Sequence, residues 1–342
     1  RKLPELAEII GELLNETKFD DKKRLLELMQ QNRSEFELEM LQSPVQVALA
    51  RLNSFISKAG AYNEQGELSS YPLLKKLTDE FDANADEFCG KLAQVMSLLF
   101  STKRLTIGVT IEESNYAAFA DGMKPLLLKL QENTEADRAE TVAYNFQPAP
   151  QQEGLLSSSQ VQYVAKGANL YRLGYELTGA YRVLEMLLKY EYFWIKIRVQ
   201  GGAYGAMTRF NSDGDMMFVS YRDPNLAETV AVFDGTAEFL RNFEASDREM
   251  VKYIIGAISG IDTPLTPRLL GATAQRMYFR GITYESRQKR RTELLKTTVD
   301  DIRALAPAIA ACMAENNLCV FGNGTVIKEN EGLFGRLTNV LE

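Results

Sequence analysis

Arg198, Gly201, Gly202, Tyr204 and Gly205 bring a cation, a phenol and three glycines together within eight residues of the chain. A guanidinium and a phenol both donate hydrogen bonds to carbonyl or carboxylate oxygens. Glycines allow a ligand to approach the backbone closely, because they carry no side chain. A loop of this composition could bind a carbonyl or carboxylate group. The alternative that the residues leave open is a simple turn between a helix and a strand.

Four other segments could carry chemistry, and each has a simpler interpretation. The stretch 211–215 (NSDGD) lacks the ligand spacing of a calcium loop, so we predict a hairpin turn there. The basic run 287–291 (RQKRR) lies in a helical pattern followed by acids, which favours a solvated helix face over a phosphate or RNA site. Glu112 and Glu113 would face opposite ways on a strand and make a poor acid–base pair. The glycines of 322–324 do not fit a nucleotide-binding loop, and neither does the first glycine cluster.

Histidine is absent from all 342 residues. Its absence excludes a Ser-His-Asp triad, a Cys-His dyad and histidine-ligated zinc within this chain. Cys89, Cys312 and Cys319 are odd in number and have no C-x-x-C spacing, which indicates reduced cysteines rather than a disulfide framework or a zinc knuckle. We therefore expect no metal site in this chain.

The overall composition is that of a globular protein. Hydrophobic residues make up 45% and charged residues 25%, and the net charge is −7. An acidic chain is a poor general binder of nucleic acids or anionic membranes, and no apolar run reaches the roughly 18 residues that span a bilayer. We expect neither nucleic acid nor membrane as a partner. Because the chain starts with Arg1 rather than methionine, we also expect it to be cut from something longer.

Hydrophobic periodicity predicts the elements that position these residues. Residues 1–100 show the three- and four-residue spacing of helices, whereas 105–111 (LTIGVTI) alternates apolar and polar side chains like a strand. A further helix is predicted over 176–193. The Asp213-Gly214 dipeptide predicts a hairpin between 203–210 and 216–222.

The predicted elements indicate the fold class. Residues 136–160 are rich in proline, serine and small polar residues, so we predict a linker there, between domains at 1–135 and 161–342. Each part mixes a few strands with long helices. This pattern favours an α+β fold, with an antiparallel sheet covered by helices, over a doubly wound parallel sheet.

Several longer segments resemble one protein family in a consistent order along the chain. They are IRVQGGAYGA (197–206), SYRDPN (220–225), NETKFDDKKRLLELMQQNRSEFE (15–37) and SKAGAYNEQGELSSY (57–71). Together they resemble the C-terminal half of the pitrilysin/insulysin superfamily, and more closely its presequence protease branch.

The resemblance implies a fold and an activity. Enzymes of this superfamily are zinc metallopeptidases that carry an H-x-x-E-H motif in their first domain. Two halves, each of two similar α+β domains, close like a clamshell around a chamber. Because this chain lacks the zinc motif, it resembles the second half only. Residues 1–135 would then be a partial third domain with its strand at 105–111, and 161–342 the fourth domain.

The resemblance also implies roles for residues and partners. The family's R-x-x-x-x-x-Y pattern falls on Arg198 and Tyr204, which would contact the substrate and stabilise an oxyanion. Gly201, Gly202 and Gly205 would support that loop without taking part in the chemistry. The implied partners are peptide substrates and the missing N-terminal half, which would hold the zinc, so that this chain alone would be inactive. The expected location is a bacterial cytoplasm or an organelle matrix. The alternative function is a non-catalytic assembly or partner subunit of the same superfamily.

Overall fold

The protein forms two compact units whose segments interleave along the chain. The structure, a computed structural model, describes residues 2–100, 102, 105–131, 145, 147–149 and 151–341. The first unit comprises residues 1–35, 72–144 and 265–281, and the second comprises 36–71, 145–264 and 282–342. Each unit combines segments from both sides of 136–160, the linker that we predict between the domains 1–135 and 161–342. The division into those two domains stays a prediction.

Helices make up most of both units. The α-helices are Leu3–Asn15, Lys22–Gln42, Pro44–Ile56, Lys58–Asn63, Tyr71–Asp79, Phe81–Leu99, Tyr116–Gln131, Ala180–Leu187, Ala227–Asp234, Thr236–Arg241, Asp247–Ile261, Pro267–Phe279, Tyr284–Leu295, Val299–Ala304, Ala306–Ala314 and Gly324–Glu329. Short 3₁₀ turns lie at Glu64–Gly66, Leu68–Ser70, Glu113–Asn115 and Glu331–Leu333. Within the described residues, no helix is both long enough and apolar enough to cross a bilayer.

The first unit is held by small helical cores. Leu3–Asn15 packs against Tyr116–Gln131, and Ala7, Met123 and Leu126 are buried between them. A second small cluster is centred on the buried Phe81. Burial of apolar side chains stabilises these contacts at roughly 25 cal/mol for each square ångström removed from water.

The strand predicted over 105–111 is wrong. These residues belong to no sheet in the part of the chain that the structure describes, and among the described residues the backbone of 106–111 makes no hydrogen bond to another backbone group. Leu105, Ile107, Val109 and Ile111 stay exposed, at 36%, 39%, 39% and 43%. Alternation predicts an extended segment with one apolar face, but a strand also needs a second backbone to pair with.

The second unit is built on a six-stranded sheet. Its strands are Gln152–Ser157 (β1), Tyr163–Asn169 (β2), Gly205–Phe210 (β3), Asp215–Tyr221 (β4), Asn317–Asn323 (β5) and Arg336–Asn339 (β6). The order across the sheet is β3-β4-β2-β5-β1-β6. Pairing is antiparallel from β3 through β5, while β1 runs parallel to both β5 and β6.

Helices cover both faces of this sheet. On β4, Met216 and Phe218 face one core, while Met217 and Val219 face the other, as the two-residue period of a strand requires. The second of these cores is closed by the helix Pro44–Ile56. Burial on both faces fixes the register, because a slip by one residue would exchange the two cores.

The structure confirms the α+β class and corrects some details. The sheet is mixed rather than purely antiparallel. Part of the predicted linker forms strand β1, at Gln152–Ser157, while residues 136–144 of that linker lie outside the described part of the chain. The linker prediction failed at β1 because a short apolar run, Gly154–Leu156, is enough to build a buried strand once β5 lies beside it.

Candidate functional site

Arg198 and Tyr204 lie on the connection between a helix and strand β3. The predicted helix does not end at 193 but continues as π-helix through Leu188–Tyr192 and Trp194–Gln200, which places Arg198 near its end. The side chain of Ile197 is buried and anchors this last turn in the core of the second unit. π-Helical turns are rare and occur frequently at functional sites.

The Arg198 guanidinium contacts two aromatic rings. Its central carbon is 4.2 Å from the centre of the Trp194 ring and 5.3 Å from the centre of the Tyr204 ring. Attraction between a cation and the face of an aromatic ring holds such an arrangement in place. The Tyr204 ring in turn packs edge-on against Tyr221, with 5.8 Å between ring centres. The structure therefore brings the two predicted site residues together.

The polar ends of this pair are free to bind a ligand. Within the described part of the chain, neither the Arg198 guanidinium nor the Tyr204 hydroxyl has a hydrogen bond or an ion pair. Tyr204 is 63% exposed. The site thus presents a cation and a hydroxyl donor side by side, a combination suited to a carbonyl, carboxylate or oxyanion. The catalytic role of the pair stays a prediction.

Two of the three loop glycines meet a conformational need. Gly202 has a φ of 79°, in the left-handed region that favours glycine. A Cβ on Gly201 would lie 2.6 Å from the carbonyl oxygen of Ile197. At Gly205 a Cβ would meet nothing within 4 Å, so no steric reason requires glycine there.

The sequence alone does not identify two residues that lie beside Arg198 and Tyr204. Trp194, the only tryptophan of the chain, stacks on Arg198 from four residues earlier. Asn225 donates a 2.6 Å hydrogen bond from its side-chain amide to the carbonyl oxygen of Gly201. Trp194 and Arg198 are four residues apart in a helical segment, and this spacing could have predicted their contact. No local pattern marks the second.

The remaining candidate segments take their simpler interpretations. In 211–215 the backbone N–H of Asn211 donates to the carbonyl of Asp215 at 2.9 Å, and Gly214 has a φ of 91°, which confirms the hairpin turn. The basic run 287–291 lies in the helix Tyr284–Leu295, with its first three residues exposed. Glu112 and Glu113 are exposed at the start of a short 3₁₀ turn.

Three buried titratable groups of the second unit have raised pKa values. Burial raises the pKa of the Cys312 thiol to about 12, and it also raises the pKa of the fully buried Cys319. Both thiols are therefore protonated at neutral pH and poor nucleophiles. Burial likewise raises the pKa of Asp215 to about 6, although Asn169 donates to this carboxyl at 2.7 Å.

The residues that the structure describes offer no site that fits a zinc ion. In the part of the chain that the structure describes, no three cysteine, aspartate or glutamate side chains come close enough to hold a metal, and histidine is absent. Arg198 and Tyr204 are hydrogen-bond donors and cannot ligate zinc in these roles.

Two family models match the chain. Residues 152–321 match the PreP C-terminal domain, and residues 1–77 match the peptidase M16, subfamily C, associated domain.

Relatives match the chain over most or all of its length. It is 35% identical to Protein HypA of Clostridium perfringens, over 100% of this chain and 34% of that protein. It is 30% identical to Presequence protease 1, chloroplastic/mitochondrial, of Arabidopsis thaliana, over 89% of this chain and 28% of that protein. The chain thus spans about a third of the length of these relatives.

Solved structures share the fold at low sequence identity. Pitrilysin matches with a TM-score of 0.56 at 14% identity, covering 94% of this chain and 33% of that one. A peptidase M16 inactive domain from Pseudomonas fluorescens matches with a TM-score of 0.54 at 15% identity, covering 92% and 73%. The chain therefore belongs to the presequence protease branch of the pitrilysin/insulysin superfamily, and it contains the C-terminal domain of that branch.

Proposed function

We propose that this chain is the half of a zinc metalloendopeptidase that does not hold the zinc, and that the complete enzyme degrades short unstructured peptides. The chain would form part of the chamber wall and bind the peptide backbone through Arg198 and Tyr204. The observation that carries the proposal is the pair of free donors, held side by side by aromatic stacking. The names of relatives such as Presequence protease 1 support a peptide substrate.

The two donors are suited to the charge that develops during peptide hydrolysis. As a carbonyl carbon is attacked, its oxygen gains negative charge, and hydrogen bonds from a guanidinium and a phenol strengthen with that charge. Neither group needs to transfer a proton for this purpose. One such donor contributes on the order of 3 kcal/mol to transition-state stabilisation.

Stacking reduces the reorganisation that this interaction needs. The rings of Trp194 and Tyr204 both contact the Arg198 guanidinium, so less rotational freedom is lost when a ligand binds. Donors fixed before the reaction stabilise the transition state better than donors that must first be ordered. The pair would therefore act mainly on kcat.

The remaining part of the active site would come from the N-terminal half. We propose that half as the partner that carries zinc, and a bacterial cytoplasm or an organelle matrix as the location. The relatives include a bacterial protein and a chloroplastic/mitochondrial one.

Metal analysis and a cleavage assay on the purified 342-residue chain test whether the zinc and the activity depend on the N-terminal half. We expect no stoichiometric zinc by metal analysis and no cleavage of a fluorogenic peptide, whereas the full-length protein should show both. The 342-residue chain binding one zinc and cleaving the peptide would overturn the proposal. Full-length protein without zinc or activity would contradict it as well, and would favour an assembly subunit.

A further inference from the structure

The loop that carries Tyr204 lies against the segment Ser220–Asn225 (SYRDPN), which comprises the end of β4 and the turn after it. The side-chain amide of Asn225 donates to the carbonyl oxygen of Gly201 at 2.6 Å. The backbone N–H of Tyr204 donates to the carbonyl oxygen of Tyr221 at 3.1 Å. One short segment therefore fixes both ends of the loop 201–204.

The middle of the loop touches the same segment. The Cγ of Pro224 lies 3.7 Å from the place that a Cβ on Gly202 would occupy. On its other side the loop is tied to the π-helix, because the N–H of Gly202 donates to the carbonyl of Arg198 at 2.9 Å. The loop is thus held between the helix that carries Arg198 and the SYRDPN segment.

Asp223 anchors the SYRDPN segment through four hydrogen bonds. This fully buried residue exchanges two backbone hydrogen bonds with Gln162, at 2.7 and 2.9 Å. Its carboxylate accepts from the N–H of Asn225 at 2.9 Å and from the hydroxyl of Thr229 at 2.7 Å. Asn225 is therefore itself held in place when it binds the loop.

The backbone of Arg222 points to a constraint at this position. Its φ is 50°, a left-handed conformation that is uncommon for residues other than glycine, asparagine and aspartate. Such conformations cost free energy and persist where the surrounding structure enforces them, often at functional sites. Here the enforcing contacts are the paired backbone of Asp223 on one side and β4 on the other.

We propose that the SYRDPN segment is a template that positions the Tyr204 hydroxyl relative to the Arg198 guanidinium, with Asn225 as the key positioning residue. Asn225 does not touch substrate in this account. It fixes the Gly201 carbonyl, and through it the path of the backbone to Tyr204. The inference rests on the proposed function for its effect on catalysis, while its structural part can be measured on this chain alone.

The structural test is amide hydrogen exchange on the 342-residue chain. Asn225→Asp keeps the size of the side chain but removes the donor, and Asn225→Ala removes the donor without adding a charge. In both variants we expect the Tyr204 amide to exchange about 10-fold faster, because its hydrogen bond opens more often. Unchanged exchange at Tyr204 in both variants would overturn the positioning role.

Asn330→Asp is the matched control for this experiment. Asn330 also donates from its side-chain amide to a backbone carbonyl, that of Val326 at 2.9 Å, at the end of the helix Gly324–Glu329. This variant should leave exchange at Tyr204 unchanged. Equal acceleration in the control would show general loosening of the unit and would overturn the proposal.

The catalytic test is a double-mutant cycle in the full-length enzyme. Asn225→Ala should lower kcat/KM by about 10-fold, mostly through kcat, because misplaced groups lose transition-state contacts. In a Tyr204→Phe background the same substitution should have little further effect. An equal loss in both backgrounds would show that Asn225 does not act through Tyr204. If Tyr204→Phe itself leaves kcat/KM unchanged, the proposed function fails and the catalytic part of this inference fails with it, whatever the exchange result.

Discussion

The hairpin β3–β4 and the segment 105–111 are both predicted to form strands, but they differ in the structure. Apolar and polar residues alternate along 105–111, whereas 216–219 (MMFV) is an unbroken apolar run in β4. The hairpin has a tight turn at Gly214 and pairs along its whole length, with both faces of β4 buried. The segment 105–111 has no adjacent strand among the described residues, and its apolar side chains stay partly exposed.

The difference shows what fixes a strand. Alternation determines which side chains share a face, but pairing requires a backbone within reach. The hairpin carries its own partner five residues away, beyond the turn 211–215, whereas 105–111 is followed by a 3₁₀ turn and a helix. Local sequence therefore predicts pairing reliably only where a turn brings the two strands together.

Replacing an apolar side chain by alanine in each of the two regions should give the largest difference in stability. Phe218, fully buried in β4, packs against Phe193 and Phe233 with ring centres 5.0 and 5.7 Å away. Phe218→Ala should lower the free energy of unfolding by about 3–5 kcal/mol, since it leaves a cavity. Ile107→Ala, at a side chain that is 39% exposed, should cost about 1 kcal/mol.

Urea denaturation of the chain, monitored by circular dichroism, measures the loss of stability in both variants. Equal losses for the two variants would mean that 105–111 is as firmly packed as the hairpin, and the comparison would then be wrong.

The next largest effect should be a dependence of the free energy of unfolding on pH, which arises from Asp215 in the hairpin. Burial at the start of β4 raises the pKa of Asp215 from 3.8 to about 6, so the fold favours the neutral acid. The contribution of this group to stability is fully present below pH 3.8 and is lost as the pH rises through 6. Asp215→Asn should therefore stabilise the chain at pH 7.5, by at most about 3 kcal/mol.

The sign of this effect can be checked by repeating the measurement at low pH. The difference between Asp215→Asn and the unmodified chain should shrink as the pH falls below 6 and approach zero only below about pH 3, where the acid is protonated in the unfolded state as well. A destabilising Asp215→Asn at pH 7.5 would show that the ionised carboxylate supports the hairpin.

Replacing the glycines beside the hairpin by alanine should give the smallest difference in stability. Gly202→Ala forces an alanine into a left-handed conformation and should cost about 1–2 kcal/mol. Gly205→Ala, at the first residue of β3, should change the stability by less than about 0.5 kcal/mol, because its Cβ meets open space. Thermal unfolding compares the two variants directly. A larger loss at Gly205 would refute the assignment of the loop's conformational constraint to Gly202.

Much of the fold could be predicted from sequence where the signal is local. The hairpin turn follows from Asp213-Gly214, and the unbroken apolar run 216–219 is typical of a strand that is buried on both faces, as β4 is. The strand β1 could not be predicted, because its partners β5 and β6 lie more than 150 residues away. Neither could the π-helix, because apolar spacing does not distinguish a π-helical turn from an α-helical one.

The candidate site was predictable only in part. The resemblance to the family implies a joint role for Arg198 and Tyr204, and in the structure the Arg198 guanidinium lies 5.3 Å from the centre of the Tyr204 ring. Asn225 escaped the sequence analysis because its contact with Gly201 spans 24 residues and depends on how the turn after β4 folds back.

The kinetics of Arg198→Ala and Tyr204→Phe in the full-length enzyme test the central claim most directly. Each should lower kcat/KM on a peptide substrate by about 100-fold or more, while the melting temperature stays unchanged. Arg241→Ala, at an exposed arginine paired with Glu238, is the control and should keep full activity. Activity within twofold of the unmodified enzyme for both site variants would contradict the account.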